Sequence, residues 1–450
     1  MTTTPPRIPR PRNELEPERR TKLWVAAGAA TLGFLVALEI AARHYGQPGP
    51  LTHEARELIF APRLGPLMYA GLALTMVVLT WRQRFIALGA AAAIDLGFLL
   101  VRLAAGTGPQ QFGNGALWVT VAIAVVAITR RTGTERMLLL KGVGLGQLLV
   151  FGHKTGDTWL LITSKARPKV LDPYVATADH ALGNPSWLVG RAIEATQPIS
   201  GHALHVVYGQ LPLAAALIGL YQLRHVAAER RFPAHHLVRT FLVIGLLGPA
   251  VYMIFPVVGP IYAYGAEGGQ WAVSNVWPDS LPSIGVPHPV LFDGITPRNC
   301  MPSLHTAWAT TLFIHSRNGS RAMRNTGTFW LVATLTATLG FGYHYGADLI
   351  AGVVFALTVE AGMRALSRGW DRSATVLVGY GTVVFTALLL SYRYLPMQLA
   401  AHPWVFGPLL LLATASVIHL YLRTTRRWDP KAAPEQQAGK RPAEPQLEPA

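Results

Sequence analysis

The sequence predicts an all-α fold, a polytopic helical membrane protein with about eleven or twelve transmembrane helices. Charged residues make up only 14 % of its 450 residues, and hydrophobic residues make up 51 %. The apolar residues also occur in blocks of about 18 to 22, which is the length of helix that crosses the hydrocarbon core of a bilayer. A chain of this length could form two or three soluble domains, but its composition favours the membrane class.

Eleven of these apolar blocks are clear enough to assign as membrane spans. They lie near residues 24–42, 64–81, 85–104, 115–129, 203–223, 238–258, 303–316, 328–343, 345–366, 374–392 and 404–422. A twelfth candidate, 137–163, is interrupted by the polar run 153–157 (His-Lys-Thr-Gly-Asp), and the sequence leaves open whether it crosses. If it does not, the N-terminus moves to the outer side, whereas everything after residue 203 keeps its assigned side.

The distribution of the net charge of +16 indicates the topology. Lys and Arg collect in alternate connections between spans, whereas the long connection 259–302 contains a single basic residue, Arg298. This is the positive-inside pattern, so 259–302 is predicted to face away from the cytoplasm. The basic residues can also contact anionic lipid headgroups. Nucleic acid is a poor fit as a partner, because no basic patch alternates with stacking aromatic residues on a soluble face.

Changes in composition divide the chain into five predicted segments. They are a disordered basic N-terminus at 1–22, membrane helices at 23–164, a core with the candidate functional motifs at 165–368, two further membrane helices at 369–427 and a disordered tail at 428–450. The tail is rich in Pro, Glu, Ala and Gln, a composition that disfavours a packed core. The polar start of the core, 165–202, is predicted to form short amphipathic helices outside the membrane. The single cysteine, Cys300, excludes an internal disulfide and a cysteine-based zinc site.

Two carboxylates fall inside the first four predicted spans, where an ionisable side chain is costly. Glu39 has Arg43 at the helical i+4 position, and Asp95 has Arg102 further along its own helix. Both carboxylates are predicted to form packing or snorkelling pairs with these arginines rather than a transport path.

The first candidate functional motif covers residues 299–305 (Asn-Cys-Met-Pro-Ser-Leu-His), where a polar outer loop enters an apolar helix. Pro302 favours a helix start, because its missing N–H would be unpaired there anyway. The free N–H groups of a first helical turn favour an anion, and Ser303 adds a hydroxyl donor. The motif therefore predicts a phosphate-binding helix start, with His305 one turn inside the helix.

The second motif covers residues 342–348 (Gly-Tyr-His-Tyr-Gly-Ala-Asp), at the outer end of one span and the start of the next. His344 and Asp348 share a face if this segment is helical. The three spans that carry the two motifs run inward, outward and inward again. We therefore expect His305, His344 and Asp348 to lie in one cavity at the extracytoplasmic surface.

Two histidines and a carboxylate can divide the work of phosphoryl transfer. A neutral imidazole attacks phosphorus, a carboxylate fixes its tautomer, and a second imidazole protonates the leaving alkoxide. Histidine suits both tasks because its unperturbed pKa of about 6.5 allows either form near neutral pH. Each motif alone is a weak signal, since the same His-x3-Asp spacing recurs at His153 and Asp157. Their order, their separation by one span and their shared side strengthen the prediction.

The two motifs together resemble the type 2 phosphatidic acid phosphatase superfamily, and more closely its inositol phosphorylceramide synthase (inositolphosphotransferase) branch. The resemblance covers about 175–366, with support from 179–183 (Asp-His-Ala-Leu-Gly), Pro185-Ser186 and 255–260 (Phe-Pro-Val-Val-Gly-Pro). It implies a six-helix catalytic core that needs no metal and no cofactor. It also implies that His344 is the nucleophile that forms a phosphohistidine, that Asp348 orients it, and that His305 is the acid for the leaving group.

The departures from the family pattern concern the basic residues that hold the phosphate. The phosphatases carry Lys-x6-Arg-Pro before the first motif, which this chain lacks, and Ser-Arg where this chain has Ala337-Thr338. The phosphotransferase branch also tends to lack these residues, which favours transfer to an acceptor alcohol over hydrolysis. Arg298, close to His305 in the outer loop, is the first candidate for a replacement contact, and Arg239 is the second.

The sequence therefore predicts a lipid phosphotransferase of the cell membrane that moves a phosphorylated headgroup, with phosphoinositol as one candidate, between lipids. The first alternative is a phosphatase acting on a lipid phosphate or a polyprenyl diphosphate. The second is a transporter or scaffold without catalysis, which the complete His/His/Asp set disfavours. A lipid is the expected substrate, and no obligate protein partner is indicated. The sequence does not reveal the acceptor.

Overall fold

The computed structural model of the protein describes residues 17–106, 111–265, 277, 280–285, 290 and 298–428. Every helix or strand element in these ranges is a helix, and six helical segments are long and apolar enough to cross a membrane. The predicted all-α polytopic membrane fold is therefore confirmed. Of the ends predicted to be disordered, 1–16 and 429–450 lie outside the described residues, whereas residues 17–22 belong to the helix Pro17–His44 and Trp428 ends the helix Pro403–Trp428. Two compact units divide the chain between Lys165 and Ala166.

The described part of the first unit contains six helices. They are α1 (Pro17–His44), α2 (Pro50–Glu57), α3 (Gly65–Met76), α4 (Trp81–Ala105), α5 (Asn114–Arg130) and α6 (Gly133–Ala166). Helix α6 continues through the polar run 153–157, so the interruption predicted there is not seen.

The two intramembrane carboxylates of this unit have different kinds of partner. Arg43 Nε lies 3.2 Å from Glu39 Oε1, so this pair forms as predicted. Asp95 Oδ1 instead accepts a hydrogen bond from the backbone N–H of Gly115 at 2.8 Å. The predicted pair of Asp95 with Arg102 is therefore wrong. The buried carboxylate ties α4 to the start of α5 because the first N–H groups of a helix have no partner within the helix.

The second unit contains the other helices of the described chain. They are α7 (Asp172–Asp179), a 3₁₀ turn (His180–Leu182), α8 (Pro185–Glu194), α9 (Ile199–Gly209), α10 (Leu211–Leu223), α11 (Val226–Glu229), α12 (Leu237–Ile254), α13 (Pro260–Tyr264), α14 (Leu304–Ser316), α15 (Arg321–Gly340), α16 (Gly346–Arg368), α17 (Arg372–Tyr394), α18 (Pro396–Ala401) and α19 (Pro403–Trp428). The short helices predicted for 165–202 correspond to α7, α8 and the start of α9, although α7 is buried along its whole length.

Six helical segments have the length and hydropathy of a membrane span. They are Trp81–Ala105, Leu211–Glu229, Leu237–Ile254, Gly346–Arg368, Arg372–Tyr394 and Pro403–Trp428. Helices α3 and α5 are apolar but shorter. Predicted spans also coincide with α1, α6, α14 and α15. The predicted total of eleven or twelve crossings therefore stays a prediction beyond these six.

Helices α14 and α16 meet closely at their N-terminal ends. Ser303 is the N-cap of α14, where its Oγ accepts a hydrogen bond from Thr306 N–H at 3.3 Å. The N–H of Ser303 donates to the carbonyl oxygen of Asp348 at 3.2 Å. A Cβ atom on Gly352 would lie only 2.6 Å from the carbonyl oxygen of Ser303, so this approach requires glycine. The crossing places the two sequence motifs side by side.

The last two long helices share a hydrophobic core with α16. Buried side chains of this core include Val354 on α16, Leu377 and Leu388 on α17, and Val417 on α19. In a bilayer such packing stabilises through close van der Waals contact, because lipid tails are as apolar as leucine. The segment 369–427 therefore packs on the core that carries the motifs.

Glu360, in the second half of α16, is buried in a hydrogen-bond network. Its Oε1 lies 2.8 Å from His235 Nε2. Its Oε2 accepts a hydrogen bond from Thr240 Oγ1 at 2.8 Å and lies 3.2 Å from His315 Nε2. These partners belong to the loop before α12, to α12 and to the end of α14. The carboxylate therefore joins three elements at the end of the core opposite the α14–α16 crossing.

The side-chain amide of Gln222 fixes the tautomer of His315 in this network. Its Oε1 accepts a hydrogen bond from Leu237 N–H at 2.8 Å, so its NH₂ group faces His315 Nδ1 at 3.2 Å. Nδ1 is then an acceptor, and Nε2 carries the proton that is donated to Glu360. The ligand atoms of His235, His315 and Glu360 lie within 4.8 Å of one another. In this tautomer His315 has no free lone pair for a metal, so the group is a proton-sharing cluster.

Replacement of Glu360 by alanine is expected to lower the free energy of unfolding by about 3–5 kcal/mol, because it leaves the buried imidazole of His315 and the partly buried imidazole of His235 without their acceptor. Glu360→Gln keeps one acceptor oxygen and is expected to cost less. Reversible unfolding of the purified protein in detergent measures both. The control is Glu229→Ala, which removes an exposed pair with Arg231 and should cost less than about 1 kcal/mol. Equal losses for Glu360→Ala and the control would contradict this role.

Candidate functional site

The three predicted catalytic residues lie together where α14 and α16 begin. His344 Nδ1 is 3.5 Å from Asp348 Oδ2. The ring centroids of His305 and His344 are 6.5 Å apart, with their planes inclined by 59°. His344 is 4 % exposed and Asp348 is fully buried. The structure therefore brings the two motifs into one site, as the sequence predicted; their catalytic roles stay a proposal.

Both main-chain polar groups of His344, its N–H and its carbonyl oxygen, form hydrogen bonds. Its N–H donates to the carbonyl oxygen of Thr338 at 3.2 Å, and its carbonyl oxygen accepts from Ser186 Oγ at 2.6 Å. Gly342, at φ +69°, makes the left-handed turn that ends α15. Ser186 lies in the Pro185-Ser186 pair that the sequence singled out, and its buried hydroxyl fixes the position of the His344 main chain.

Asp348 reaches His344 by a route that differs from the predicted one. His344 lies before the first residue of α16, so the two do not share a helical face. Asp348 is the third residue of the helix, and its Oδ2 accepts from the N–H of Tyr345, the N-cap residue, at 2.7 Å. This capping contact turns the carboxylate back toward the turn that carries His344.

The thiol of Cys300 lies between the imidazole and the carboxylate. Its Sγ is 2.7 Å from Asp348 Oδ2 and 3.3 Å from His344 Nδ1. From the sequence, Cys300 served only to exclude an internal disulfide and a cysteine-based zinc site, and it was not predicted to be a site residue. Its place in the 299–305 motif, five positions before His305, was the available signal. The distance of 3.5 Å between His344 Nδ1 and Asp348 Oδ2 is long for a hydrogen bond, and the thiol occupies part of the space between them. Hydrogen bonds between catalytic groups are often long before substrate binds.

His305 is held by aromatic side chains. The ring of Tyr208, on α9, stacks on it with centroids 4.1 Å apart and planes inclined by 20°. The Tyr208 hydroxyl is 3.1 Å from His305 Nδ1. Trp308 meets the imidazole edge-on at 5.9 Å and is itself fixed by a hydrogen bond from its Nε1 to the carbonyl oxygen of Phe241. Sequence reasoning missed Tyr208, because nothing local connects it to His305.

Two buried carboxylates support the main chain around the site. Asp172 accepts hydrogen bonds from Gly259 N–H at 2.8 Å and from Tyr345 Oη at 2.9 Å. Asp179 Oδ1 accepts from Ala347 N–H at 2.8 Å. Both belong to α7, which therefore connects the 255–260 segment to the start of α16. The two carboxylates accept hydrogen bonds from backbone N–H groups that would otherwise be buried without acceptors.

Ser303, predicted to contact substrate, is fully buried. Its Oγ accepts the capping hydrogen bond from Thr306 at the start of α14. The described contacts of this side chain therefore give it a structural role, and a contact with substrate stays a proposal.

Arg298, the first candidate for a phosphate contact, is also fully buried. Its Nε donates to the carbonyl oxygen of Arg167 at 3.2 Å, and its Nη2 donates to those of Pro168 and Val290. These contacts attach the outer connection to the segment before α7. They do not support the predicted contact with phosphate.

Arg239, the second candidate, lies in the wrong place. It is in the first turn of α12, where its Nη1 donates to the carbonyl oxygen of Ala234 at 2.8 Å. The other end of α12 reaches the site, since Tyr252 Oη donates to the carbonyl oxygen of Pro302. Arg239 and Tyr252 are 13 residues apart on this helix, about 20 Å along its axis, so Arg239 is not part of the site.

The sequence indicated no metal ligands, yet the site contains a group with ligand atoms. Cys300, His344 and Asp348 offer a sulfur, a nitrogen and an oxygen within 4.8 Å of one another. The sulfur of Cys300 is already within hydrogen-bonding distance of the other two atoms. Treatment with a chelator distinguishes metal binding by these atoms from hydrogen bonding among them.

The part of the chain that contains this site is similar to a known protein family. Residues 174–361 match the PAP2 superfamily. This PAP2 region contains His305, His344 and Asp348, and the match supports an enzyme of the lipid phosphatase or phosphotransferase type. It names the superfamily alone, so the likeness to the inositol phosphorylceramide synthase branch stays a proposal.

The rest of the chain gives less information on function. Residues 22–162, which cover most of the first unit, match a family described as a domain of unknown function (DUF5933). No curated protein and no solved structure matches the chain. The function is therefore argued from the PAP2 region and its geometry.

Proposed function

We propose that the protein is a membrane lipid phosphotransferase that moves a phosphorylated headgroup between lipids through a phosphohistidine on His344. The observation that supports this most strongly is the pair of imidazoles, with ring centroids 6.5 Å apart inside the PAP2 region. One phosphate group fits between two groups at this separation, since reacting atoms approach to about 3–3.5 Å before bond formation.

The reaction proceeds in two displacements. In the first, the free ring nitrogen of His344 forms a bond to phosphorus, the bond from phosphorus to the donor lipid oxygen breaks, and His305 gives that oxygen a proton. In the second, His305 takes the proton of the acceptor hydroxyl, the acceptor oxygen bonds to phosphorus, and the bond to His344 breaks. Asp348 stabilises the charge that His344 gains and keeps its other nitrogen protonated.

Burial of the site favours an acceptor alcohol over water. His344 and Asp348 are almost inaccessible, and aromatic rings cover His305. Among the described residues, no Lys or Arg hydrogen-bonds to any of the three, which matches the absence of the arginines used by the phosphatases. The alternative is a hydrolase acting on a lipid phosphate or a polyprenyl diphosphate.

The positions of the arginines support an extracytoplasmic site. Arg317 follows α14, and Arg364 and Arg368 lie at the end of α16, whereas the site lies where both helices begin. By the positive-inside rule the ends with the arginines face the cytoplasm. The active site would then face the opposite side of the cell membrane.

The proposal is tested by incubating the purified protein with lipids that carry a labelled headgroup phosphate, with and without candidate lipid alcohols. We expect label to appear in a new lipid only when an acceptor is present, and to be trapped on His344 when it is absent. Release of free labelled phosphate or headgroup phosphate, at a rate that acceptors do not change, would show the hydrolase instead.

Addition of a chelator should leave the rate unchanged. Inhibition that added metal reverses would assign Cys300, His344 and Asp348 to a metal site.

Tyr208 is expected to position His305 in this reaction. Tyr208→Leu removes the stacked ring and should lower kcat by about 10- to 100-fold with little change in KM, since small misplacements of a catalytic group cost this much. Tyr208→Phe keeps the stack and should remain within a few-fold of the wild type. Tyr221→Leu, an aromatic replacement on α10 away from the site, is the control. A loss in Tyr208→Phe as large as in Tyr208→Leu would assign the effect to the hydroxyl.

A further inference from the structure

A basic cavity lies between the first turn of α17 and the last turns of α19. Its volume is about 390 Å³, whereas a water molecule takes about 30 Å³ of the liquid. Three arginines line it together with two hydroxyl-bearing and two aliphatic side chains: Arg372, Arg423, Arg427, Ser373, Thr424, Val376 and Leu420. Helix α16, with 23 residues, separates this end of the unit from His344 by about 35 Å. The cavity is therefore distinct from the candidate active site.

The carboxylate nearest in sequence, Asp371, does not line the cavity and is already paired with Arg368. Asp371 Oδ2 accepts a hydrogen bond from Arg368 Nη1 at 2.7 Å, and its Oδ1 accepts from Ser373 Oγ and from Ala374 N–H. The hydrogen bond from Arg368 holds the pKa of Asp371 well below its ordinary value. Asp371 is therefore ionised, and its charge is balanced by Arg368. No carboxylate lines the cavity in the described chain.

The three lining arginines differ from their neighbours in their contacts. Within the described ranges, no hydrogen bond, ion pair or ring contact involves the guanidinium groups of Arg372, Arg423 or Arg427, whereas Arg368 and Arg393 each have such partners. Arg423 and Arg427 are four residues apart on one face of α19, a spacing at which like charges repel. Three cations around one space, with no carboxylate lining it in the part of the chain that the structure describes, favour an external anion.

We propose that this cavity binds the phosphate group of an anionic lipid headgroup at the membrane surface. Guanidinium groups donate paired hydrogen bonds to phosphate oxygens, which suits arginine for this ligand. Val376 and Leu420 add an apolar wall, which suits the glycerol and first methylenes of a lipid better than free phosphate. Both helices are long enough to cross the bilayer, and the cavity lies at their ends, where headgroups lie. This site is independent of the proposed catalytic function.

The experiment measures lipid retention by the full-length protein. The purified protein is equilibrated in bilayer discs of phosphatidylcholine with phosphatidylglycerol, and the lipids that remain bound after transfer to detergent are counted by native mass spectrometry. The wild type is expected to retain one phosphatidylglycerol in preference to phosphatidylcholine. The double variant R423Q/R427Q should bind it about 30-fold more weakly, because each basic residue near the surface contributes about a factor of five.

Matched variants separate this site from general surface charge. R230Q/R321Q removes two exposed arginines from other connections on the same predicted face, and it should retain the lipid like the wild type. R372Q, which leaves α19 unchanged, should weaken retention about fivefold and guards against a folding defect in the double variant. Equal retention by the wild type, R423Q/R427Q and R230Q/R321Q would overturn the proposal.

A second arm distinguishes a lipid from free phosphate. Inorganic phosphate is added to the lipid-free protein in detergent, and its thermal stability is compared with that in phosphatidylglycerol. We expect stabilisation by the lipid at concentrations at which inorganic phosphate has no effect, and only in proteins that keep Arg423 and Arg427. Equal stabilisation by inorganic phosphate would overturn the assignment to a lipid.

Discussion

Replacement of His344 by alanine is expected to abolish both transfer and hydrolysis, with a loss of at least about 10⁴-fold in kcat/KM. The reason is that no phosphoenzyme forms without the attacking nitrogen, and loss of a nucleophile in comparable catalytic sets costs this much or more. Steady-state rates on a labelled lipid and trapping of the acid-labile phosphoenzyme measure the effect.

Asp348→Asn should keep the fold and lose much of the rate, because the shape remains while the charge that stabilises the imidazolium is removed.

The chain supplies a matched control for these variants. His153 and Asp157 have the same spacing as His344 and Asp348, and their side chains lie 3.3 Å apart, yet they lie in the first unit and are partly exposed. His153→Ala and Asp157→Asn should leave the rate unchanged. Substantial activity in His344→Ala, with the label still passing through a phosphoenzyme, would move the nucleophile to another residue.

Replacement of His305 by alanine is expected to lower the rate by about 10²- to 10⁴-fold on lipid substrates, the usual contribution of a general acid. The loss should be much smaller on an aryl phosphate ester, because a phenolate leaves without needing a proton. The ratio of the two losses, measured on the same preparation, is therefore the decisive quantity. The two substrates serve as controls for each other, since a misfolded protein would lose activity on both.

Equal losses of His305→Ala on lipid and aryl esters would contradict its role as the acid. In that case His305 would act on the phosphate itself, as a hydrogen-bond donor that stabilises the transition state. The variant Tyr208→Leu should follow the same pattern as His305→Ala in weaker form, because the stacked ring acts only through His305.

The membrane class and the position of the motifs could be predicted from the sequence because both depend on local information. A span is recognised by its length and apolar composition, without knowledge of its neighbours. Ser303 marks a helix start through a capping contact within three residues. The proximity of His344 and Asp348 was also predictable, although the structure achieves it through an N-terminal capping contact rather than through a shared helical face.

The supporting residues of the site could not be predicted in the same way. Asp172 contacts Gly259 and Tyr345, which lie 87 and 173 positions further along the chain. Tyr208 and His305 are 97 positions apart. Contacts of this kind depend on which helix faces meet. A span surrounded by lipid has apolar residues on every side, so its hydrophobic pattern does not identify its neighbours.

Arg298 illustrates the same limit for a charged residue. The sequence identified it as the only basic residue of its connection, and that scarcity indicated a role. Only the fold shows that its guanidinium donates to the carbonyl oxygens of Arg167 and Pro168. A guanidinium group can bind either a ligand or buried carbonyl oxygens, and only the surrounding structure shows which of them it binds.

The sequence by itself determined that this protein is a helical membrane protein with two histidines and an aspartate in neighbouring motifs. The length of an apolar segment, the capping residues of a helix and the short spacing within a motif are local properties. They can be recognised in the sequence without knowledge of the fold. Only the tertiary structure decided that Cys300 lies between His344 and Asp348, that Tyr208 stacks on His305, and that Arg239 is far from both. These features follow from how the helices pack, and helix packing is set by contacts between residues far apart in the chain.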